Sequence, residues 1–312
     1  MGKTRKPKGR AEGAGGGGAR EKPPAAPRGR RARAEAAGQE GAIALAADRP
    51  RPPAGRGAEP LGKYVYCIIR ATEPLTFGRI GLGAEPAEVY TINHEDLAAV
   101  VSDTPIMVYD PTHEHVLAHE RVNEAVMRGH TVIPMSFGTV FRTREDVAEL
   151  LRSAADAFRN VLEKMRGKFE FGLKVLWDRD AVLREIERDD EGLRRLRAEI
   201  SSERGSTYFA RVQYGRLAEA ALQERAERYV AEILGALREV SIASRTSRPI
   251  GDKMILNAAF LVSREQEGAF DAAVKGVAAR YDALTFRYTG PWPPYNFVNI
   301  RLKLERAKEA AS

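Results

Sequence analysis

Apolar positions from Lys63 onward alternate or cluster in ways that predict a mixture of strands and helices. Residues 63–70 are mostly aromatic or β-branched, and both faces of a strand built from them are apolar. The two faces are predicted to hold Tyr64, Tyr66 and Ile68, and Val65, Cys67 and Ile69. A strand that is apolar on both faces is typical of the inside of a sheet, so we expect a central strand.

A turn-rich stretch and two more strands are predicted next. The turn-rich stretch is Thr72–Pro86, and the strands are Val89–Ile92 and Leu97–Val101, with Thr104-Pro105 as the stop. A helix is then predicted from Thr112 to just before Gly129. Its apolar stripe consists of Val116, His119, Val122 and Val126.

Residues Thr131–Arg142 predict one strand, with Pro134 near an edge or an irregularity because proline donates no ladder hydrogen bond. A helix follows, with Thr143 as its N-cap, Asp146 three residues later and Gly167 past its end. The buried positions of this helix recur at helical spacing: Val147, Leu150, Leu151, Ala154, Phe158, Val161, Leu162 and Met165.

The second half of the chain predicts short strands separated by amphipathic helices. Its predicted strands are Met254–Val262, Leu284–Tyr288 and Phe297–Leu304, whereas a strand over Lys168–Trp177 is predicted at the end of the first half. Its predicted helices are Arg179–Ile200, a long one over about Arg211–Val240, and Glu265–Ala279. This pattern is typical of an α+β unit of the ferredoxin-like kind, in which helices cover one sheet face and the other face is solvated.

These elements predict an α+β protein of two domains behind a basic tail. We expect an N-terminal α+β domain over residues 63–178, a helical connector over 179–204, and a C-terminal ferredoxin-like domain over 205–312. Residues 1–62 hold 14 Lys and Arg against 6 Asp and Glu, whereas the remaining 250 residues hold 36 against 37. The tail has no aromatic residue and many Gly and Pro residues, so we expect it to be disordered.

The composition excludes several classes of protein. No apolar stretch approaches the roughly 18 to 20 residues that span a bilayer, and the tail has no apolar signal segment. The single cysteine, Cys67, cannot form an intramolecular disulfide or a cysteine zinc site, which is typical of a cytoplasmic protein. The basic tail leaves a nucleic-acid-binding function open, because clustered arginine binds phosphate whatever the base sequence.

Candidate catalytic and ligand-binding groups do not form a recognisable motif. His115 and His119 have the spacing of helical metal ligands, but the sequence supplies no third ligand and no HExxH pattern. The glycines between Phe77 and Pro86 lack the GK[ST] of a phosphate loop. We therefore expect no enzymatic activity, no catalytic residue, no metal and no cofactor.

Two aromatic stretches are candidates for partner binding. Residues 132–142 carry Phe137 and Phe141, and the proline-rich segment 290–298 carries Trp292 and Tyr295. Proline fixes φ, so the second stretch is expected to be a rigid loop that displays its aromatic rings. The alternative is that Trp292 caps the core of the second domain, and the sequence leaves both readings open.

The chain resembles the gas vesicle protein GvpL/GvpF family. The resemblance rests on four blocks in order: Lys63-Tyr-Val-Tyr-Cys-Ile, His119-Glu120 leading to Thr131-Val-Ile-Pro-Met-Ser-Phe-Gly-Thr-Val-Phe141, Lys253-Met-Ile-Leu-Asn-Ala-Ala-Phe-Leu-Val262, and Gly290-Pro-Trp-Pro-Pro-Tyr-Asn-Phe-Val298. It covers about residues 63–304 and leaves the tail unexplained.

The resemblance implies an accessory protein of gas vesicle formation, located in the cytoplasm and at the gas vesicle. It implies binding to the small hydrophobic shell protein, possible contacts with other accessory proteins, and no membrane. Our expectation is that Phe137, Phe141, Trp292 and Tyr295 lie near the binding surface, with strand addition as one mode. The alternative function is nucleic-acid binding through the tail.

Overall fold

The computed structural model describes residues 61–202 and 208–298. The predicted tail lies outside these residues up to position 60, and so does the predicted strand Phe297–Leu304 beyond Val298. Within the described residues, no helix is both long enough and apolar enough to cross a membrane.

The first part of the chain forms a six-stranded sheet and three helices. In chain order these are β1 (Leu61–Arg70), β2 (Thr76–Arg79), β3 (Glu88–His94), β4 (Leu97–Pro105), α1 (His113–Met127), β5 (Ile133–Pro134), β6 (Val140–Phe141), α2 (Arg144–Ser153) and α3 (Ala155–Met165). The sheet has the order β2-β3-β4-β1-β5, and β6 also pairs with β1. The strand β1 is therefore central, as its two apolar faces predicted.

The two faces of β1 differ from simple alternation. A bulge between Val65 and Cys67 shifts the register against β4. Because a bulge inserts an extra residue, Cys67 joins Tyr64 and Tyr66 on the side of α1, whereas Val65 and Ile68 face α2 and α3. The predicted faces were wrong beyond Tyr66, since periodicity alone carries no sign of the bulge.

The segment predicted as one strand over Thr131–Arg142 is two short strands joined by a turn. Both β5 and β6 pair with β1. Between them, the Ser136 carbonyl accepts hydrogen bonds from the backbone and hydroxyl of Thr139, and Gly138 has φ of +80°. A continuous strand cannot contain this left-handed conformation, which glycine adopts without strain. The turn-rich stretch 72–86 also contains a strand, β2.

The helices α2 and α3 begin as predicted and break where no break was predicted. The Thr143 hydroxyl accepts from the Asp146 backbone, and the Asp146 carboxylate accepts from the Thr143 backbone, which completes a capping box. The helix is interrupted at Ala154, whose φ of −115° is not helical. The two pieces pack Leu150, Leu151, Phe158 and Leu162 against the sheet.

The second part of the chain forms a four-stranded antiparallel sheet with four helices. In chain order these are β7 (Lys168–Trp177), α4 (Arg179–Asp189), α5 (Glu191–Ser201), α6 (Tyr208–Arg238), β8 (Ala243–Ser247), β9 (Met254–Ser263), a 3₁₀ turn (Arg264–Gln266), α7 (Glu267–Ala278) and β10 (Leu284–Trp292). The strand order is β10-β7-β9-β8. This order, with helices in the two crossovers, is the ferredoxin-like arrangement that the sequence predicted.

The sheet pairing places β7 on the other side of the predicted boundary at residue 178. This strand lies between β9 and β10 and supplies Phe171, Leu173 and Val175 to the core that α6 and α7 cover. The periodicity of a strand does not show which other strand it pairs with. The sequence therefore could not show that β7 belongs to the second sheet. The half-buried Phe169 at the start of β7 packs against both this core and that of the first sheet.

Two further elements of the second half differ from prediction. The helix predicted over Arg179–Ile200 is interrupted at Asp190, whose side chain caps α5 by accepting from the Leu193 backbone. The strand β8, which is polar and largely exposed, was not predicted because edge strands need no apolar pattern. The outer sheet face is not fully solvated either, since Glu170 and Leu261 are buried there.

Candidate functional site

A chain of polar side chains, buried except at the partly exposed Tyr295, runs from the first sheet to the segment that follows β10. The Tyr64 hydroxyl lies 2.9 Å from Nδ1 of His119 and accepts a 2.9 Å hydrogen bond from the backbone of Gly138. On the same face of α1, Asn123 Nδ2 lies 3.0 Å from His119 Nε2 and 3.0 Å from the Tyr295 hydroxyl. The chain thus connects β1, α1, the turn at Gly138 and Tyr295.

Burial sets the protonation of this polar chain. It lowers the pKa of His119 to about 4, so the imidazole is neutral at neutral pH. It also raises the pKa of the Tyr64 and Tyr295 hydroxyls, which stay protonated. On the same side of β1, burial raises the pKa of the Cys67 thiol and keeps it from forming the reactive thiolate. All four groups are therefore uncharged at neutral pH.

Residues 293–298, here called the C-terminal strap, lie between the two sheets. The strap begins with the buried Pro293 and Pro294 and is folded by hydrogen bonds from the Phe297 and Val298 backbones to the Pro294 carbonyl. Its far end reaches the first sheet, where Val298 packs against the core beneath α2 and α3. The strap thus contacts both halves of the protein.

A buried carboxylate holds the strap to the second sheet. The backbone N–H of Asn296 donates to Glu170 at 2.7 Å, and its side-chain nitrogen donates to the other carboxylate oxygen at 2.6 Å. Burial raises the pKa of Glu170 to about 7, although the bonds from Asn296 and the charge of Arg245 act in the opposite direction. The Phe297 ring stacks over the Arg245 guanidinium, 5.8 Å from ring centre to Cζ.

The structure brings only some of the four predicted partner-binding aromatics together. Phe137 and Tyr295 are joined through the polar chain, because the Phe137 ring centre lies 5.9 Å from that of His119. Trp292 is half-buried at the end of β10 and pairs with Glu170, next to the strap. Phe141 lies apart from them, in β6, and packs against the core on the opposite sheet face.

Sequence reasoning missed Asn123, Glu170 and Asn296. Asn123 lies one helical turn after His119 and next to the apolar stripe of α1. It was overlooked because that stripe was interpreted as core. Glu170 carried a usable signal, since it is a charged residue between two phenylalanines near the start of a predicted strand. Its partner could not be found from spacing, because Asn296 lies 126 residues away.

An exposed group of large apolar side chains lies at one end of the first sheet. This apolar patch, as it is called below, consists of Leu61, Ile106, Met107 and Val108. Leu61 pairs with Pro105, the last residue of β4, so the loop after β4 lies beside the start of β1. Val108 is 82% exposed and Met107 54% exposed. The sequence signal for this patch was the run of apolar residues after Pro105. None of the predicted strands, helices or turns included that run.

The loop of the patch is held in place by its own neighbours. The Tyr109 ring packs edge-on against Tyr64 with 5.8 Å between ring centres, and its hydroxyl is hydrogen-bonded to Thr104. Ile106 packs beside Gly62, where an added Cβ would lie 2.9 Å from the Ile106 side chain and 2.5 Å from the Phe141 carbonyl oxygen. The backbone of Phe141 therefore lies beside the patch, while its ring packs against the core.

The described residues offer no ready metal site: across 61–202 and 208–298, no three His, Cys, Asp or Glu side chains are grouped so that they could hold an ion. His115, the predicted partner of His119, points elsewhere, with its Nδ1 3.0 Å from the Asp110 carbonyl oxygen.

Comparison with known proteins decides the family. The family model described as gas vesicle synthesis protein GvpL/GvpF matches residues 62–299. The chain belongs to the GvpL/GvpF family. It is 33% identical to gas vesicle protein F1 of Halobacterium salinarum over 247 residues, which cover 78% of this chain and 95% of that protein. It is also 28% identical to gas vesicle protein L2 of the same organism, over 76% of this chain and 91% of that protein.

Solved structures of GvpL/GvpF proteins share the fold. The crystal structure of GvpF from Anabaena sp. PCC7120 is 26% identical in sequence, with a TM-score of 0.66, over 78% of this chain and all of that one. GvpF from Microcystis aeruginosa gives 26% identity and a TM-score of 0.62, over 77% and 99% of the two chains. These relatives support an accessory role in gas vesicles for this member of the family.

Proposed function

We propose that this protein binds the small hydrophobic shell protein of the gas vesicle and assists nucleation and assembly of the vesicle. Its membership of a family of gas vesicle synthesis proteins supports the proposal. A shell protein that must assemble exposes apolar surface and strand edges beforehand, and such surface aggregates unless another protein covers it. A binder therefore needs apolar side chains of its own in solvent-accessible positions.

The observation that carries this proposal is the apolar patch. Leu61, Ile106, Met107 and Val108 are all more than 40% exposed and lie together at one end of the first sheet. Exposed apolar clusters of this kind mark interaction surfaces on soluble proteins more often than scattered single residues do. The partner-binding role of the four predicted aromatics, Phe137, Phe141, Trp292 and Tyr295, stays a prediction.

The proposed role is binding without catalysis. His119 and the single cysteine, Cys67, are buried in the core on the α1 side of the first sheet. A general base has to reach the proton of its substrate, and neither side chain does so here. This burial supports a non-enzymatic role.

Co-purification of the full chain with the shell protein, co-expressed in the cytoplasm, tests the proposal. The triple variant Ile106→Ser, Met107→Ser, Val108→Ser is expected to lose most of the captured shell protein. A double variant, Trp292→Ala with Tyr295→Ala, tests the predicted aromatics. The matched control is Tyr208→Ser with Phe209→Ser. It removes two aromatic residues at the start of α6 that are 82% and 81% exposed.

Four results are informative. Loss of capture in the triple variant alone supports the patch, and loss in the aromatic double variant alone moves the interface to the strap. Equal capture by wild type and all variants rejects both surfaces. If the wild-type chain captures no shell protein, the nucleic-acid function of the basic tail is tested next, through the steep salt dependence that phosphate binding requires.

A further inference from the structure

The C-terminal strap is fastened at two points that differ in chemistry. At α1, the hydroxyl of Tyr295 lies 3.0 Å from the side-chain nitrogen of Asn123. At β7, both donors of Asn296 meet the carboxylate of Glu170. The first contact joins two neutral groups, whereas the second includes a buried acid.

Glu170 has neutral groups as its direct partners. Among residues 61–202 and 208–298, no Lys, Arg or His forms an ion pair with it. Its cross-strand neighbours are apolar, with Leu261 opposite on β9 and Trp292 opposite on β10. Arg245 on β8 is the charged group that acts on Glu170 from a distance, and the strap adds the Tyr295 hydroxyl. An ionised carboxylate in such surroundings loses much of its hydration without gaining a close cation from the part of the chain that the structure describes.

We propose that the strap is a proton-controlled clamp, which is fastened while Glu170 is protonated and loosens as Glu170 ionises. Opening the strap returns the carboxyl to water, where the charged form is stable. The contact with Asn296 survives protonation, because an amide side chain can offer its oxygen to the acid proton as well as its nitrogen to a carboxylate.

The direction follows from the two protonation equilibria. The pKa of Glu170 is about 7 with the strap closed, against 4.5 for a solvated glutamate. Because the open state binds the proton less tightly, opening becomes more favourable as the pH rises through about 4.5 to 7 and then levels off. The clamp therefore responds to pH mainly between about 4.5 and 7.

The other attachment does not titrate in this range. The pKa of the Tyr295 hydroxyl is raised well above 10 by burial and by nearby Glu120 and Glu170. The pKa of His119, next to Asn123, is about 4. Between pH 5 and 8, a change in the strap is thus attributable to Glu170.

Opening uncovers surface on both halves of the protein. Asn296 and Phe297 leave the outer face of the second sheet, where Leu261 is buried and Arg245 lies under the Phe297 ring. Val298 leaves the core of the first sheet. Opening thereby removes the contacts that the strap itself makes with both sheets.

Hydrogen exchange read by mass spectrometry on the full chain tests the clamp. The wild type and the non-titrating variant Glu170→Gln are compared at pH 6 and pH 8, in a peptide covering residues 293–298. Intrinsic exchange cancels in the ratio of wild type to variant, because the peptide has the same sequence in both. From pKa values of about 7 and 4.5, that ratio is expected to rise about tenfold between the two pH values.

Two controls keep the result interpretable. A peptide from α3 is expected to give the same ratio at both pH values, which shows that the variant is folded. Asn296→Ala removes the side-chain donor and is expected to raise exchange of the strap at both pH values. A ratio for the strap that does not change with pH overturns the proposal, whether or not the protein binds shell protein.

Discussion

The phenol oxygen of Tyr295 lies 3.0 Å from the side-chain nitrogen of Asn123, although 172 residues separate the two in the chain. Asn123 is fully buried on α1, and Tyr295 reaches it while remaining 36% exposed as a residue. A polar contact therefore ties the end of the second half of the chain to a helix of the first. Together with Asn296 and Glu170, it fixes the strap between the two sheets.

Removing this contact is expected to lower the free energy of unfolding. Tyr295→Phe should cost about 1 kcal/mol, and Asn123→Ala about 1 to 3 kcal/mol because it leaves other buried groups without a partner. The double variant should cost less than the sum, since both changes remove the same bond. Urea denaturation measures all three, and Tyr208→Phe, at an exposed hydroxyl, should change little. Additive costs would show that the two side chains do not interact.

The stability of the whole protein is expected to carry a pH dependence from Glu170. Its pKa is raised in the folded state to about 7, so its contribution is fully present below about 4.5 and is lost as the pH rises through about 7. The span is on the order of 3 kcal/mol. Urea denaturation of wild type and Glu170→Gln at several pH values measures the difference. An equal pH slope in both proteins between pH 5 and 7 contradicts it.

His119 is expected to act in the opposite direction. Its pKa is lowered in the folded state to about 4, so its contribution is present above about 6.5 and is lost as the pH falls toward 4. Between pH 4.5 and 6.5 the two groups partly cancel in the wild type. His119→Gln should therefore be destabilised near pH 7 yet lose less stability on acidification. Acid unfolding of both proteins, monitored by circular dichroism, measures how stability falls with pH. The prediction is wrong if stability falls equally steeply in the two proteins.

The capping box at the start of α2 is expected to contribute about 1 kcal/mol. Thr143→Ala removes the oxygen that accepts from the Asp146 backbone and should lower the free energy of unfolding by about that amount. Thr143→Ser keeps the oxygen and should recover most of it. Urea denaturation provides the comparison. If Thr143→Ser is as unstable as Thr143→Ala, the lost stability comes from the threonine methyl group and not from the hydroxyl.

Much of the fold could be predicted where neighbouring residues decide the structure. The apolar faces around Tyr64, the Thr143 cap and the ferredoxin-like pattern were all read from local spacing. These features depend on side chains within a few residues of each other. They survived in the structure even where the boundaries of the elements shifted.

The errors share a physical cause. The bulge at β1 arises from its pairing with β4, and the break at Gly138 arises because β5 and β6 both pair with β1. The strand β8 is polar and was missed, because its stability comes from the hydrogen bonds to β9 rather than from burial. Each depends on a partner that is distant in the chain.

The candidate site shows the same division. The sequence of the proline-rich segment indicated that it is rigid. It did not indicate that the segment forms hydrogen bonds with Glu170 and Asn123. The apolar residues after Pro105 can be read from the sequence. Their exposure to solvent depends on the conformation of the loop between β4 and α1.

The sequence by itself determined most of the elements, the Thr143 capping box, the apolar cores and the resemblance to a family, because all of these are properties of short segments. The tertiary structure decided which strands pair, which aromatic side chains stay accessible, and which acid is buried. Burial and pairing are set by segments more than a hundred residues apart, as Glu170 and Asn296 are. Only the folded chain brings such groups within hydrogen-bonding distance, and there burial changes the protonation of Glu170.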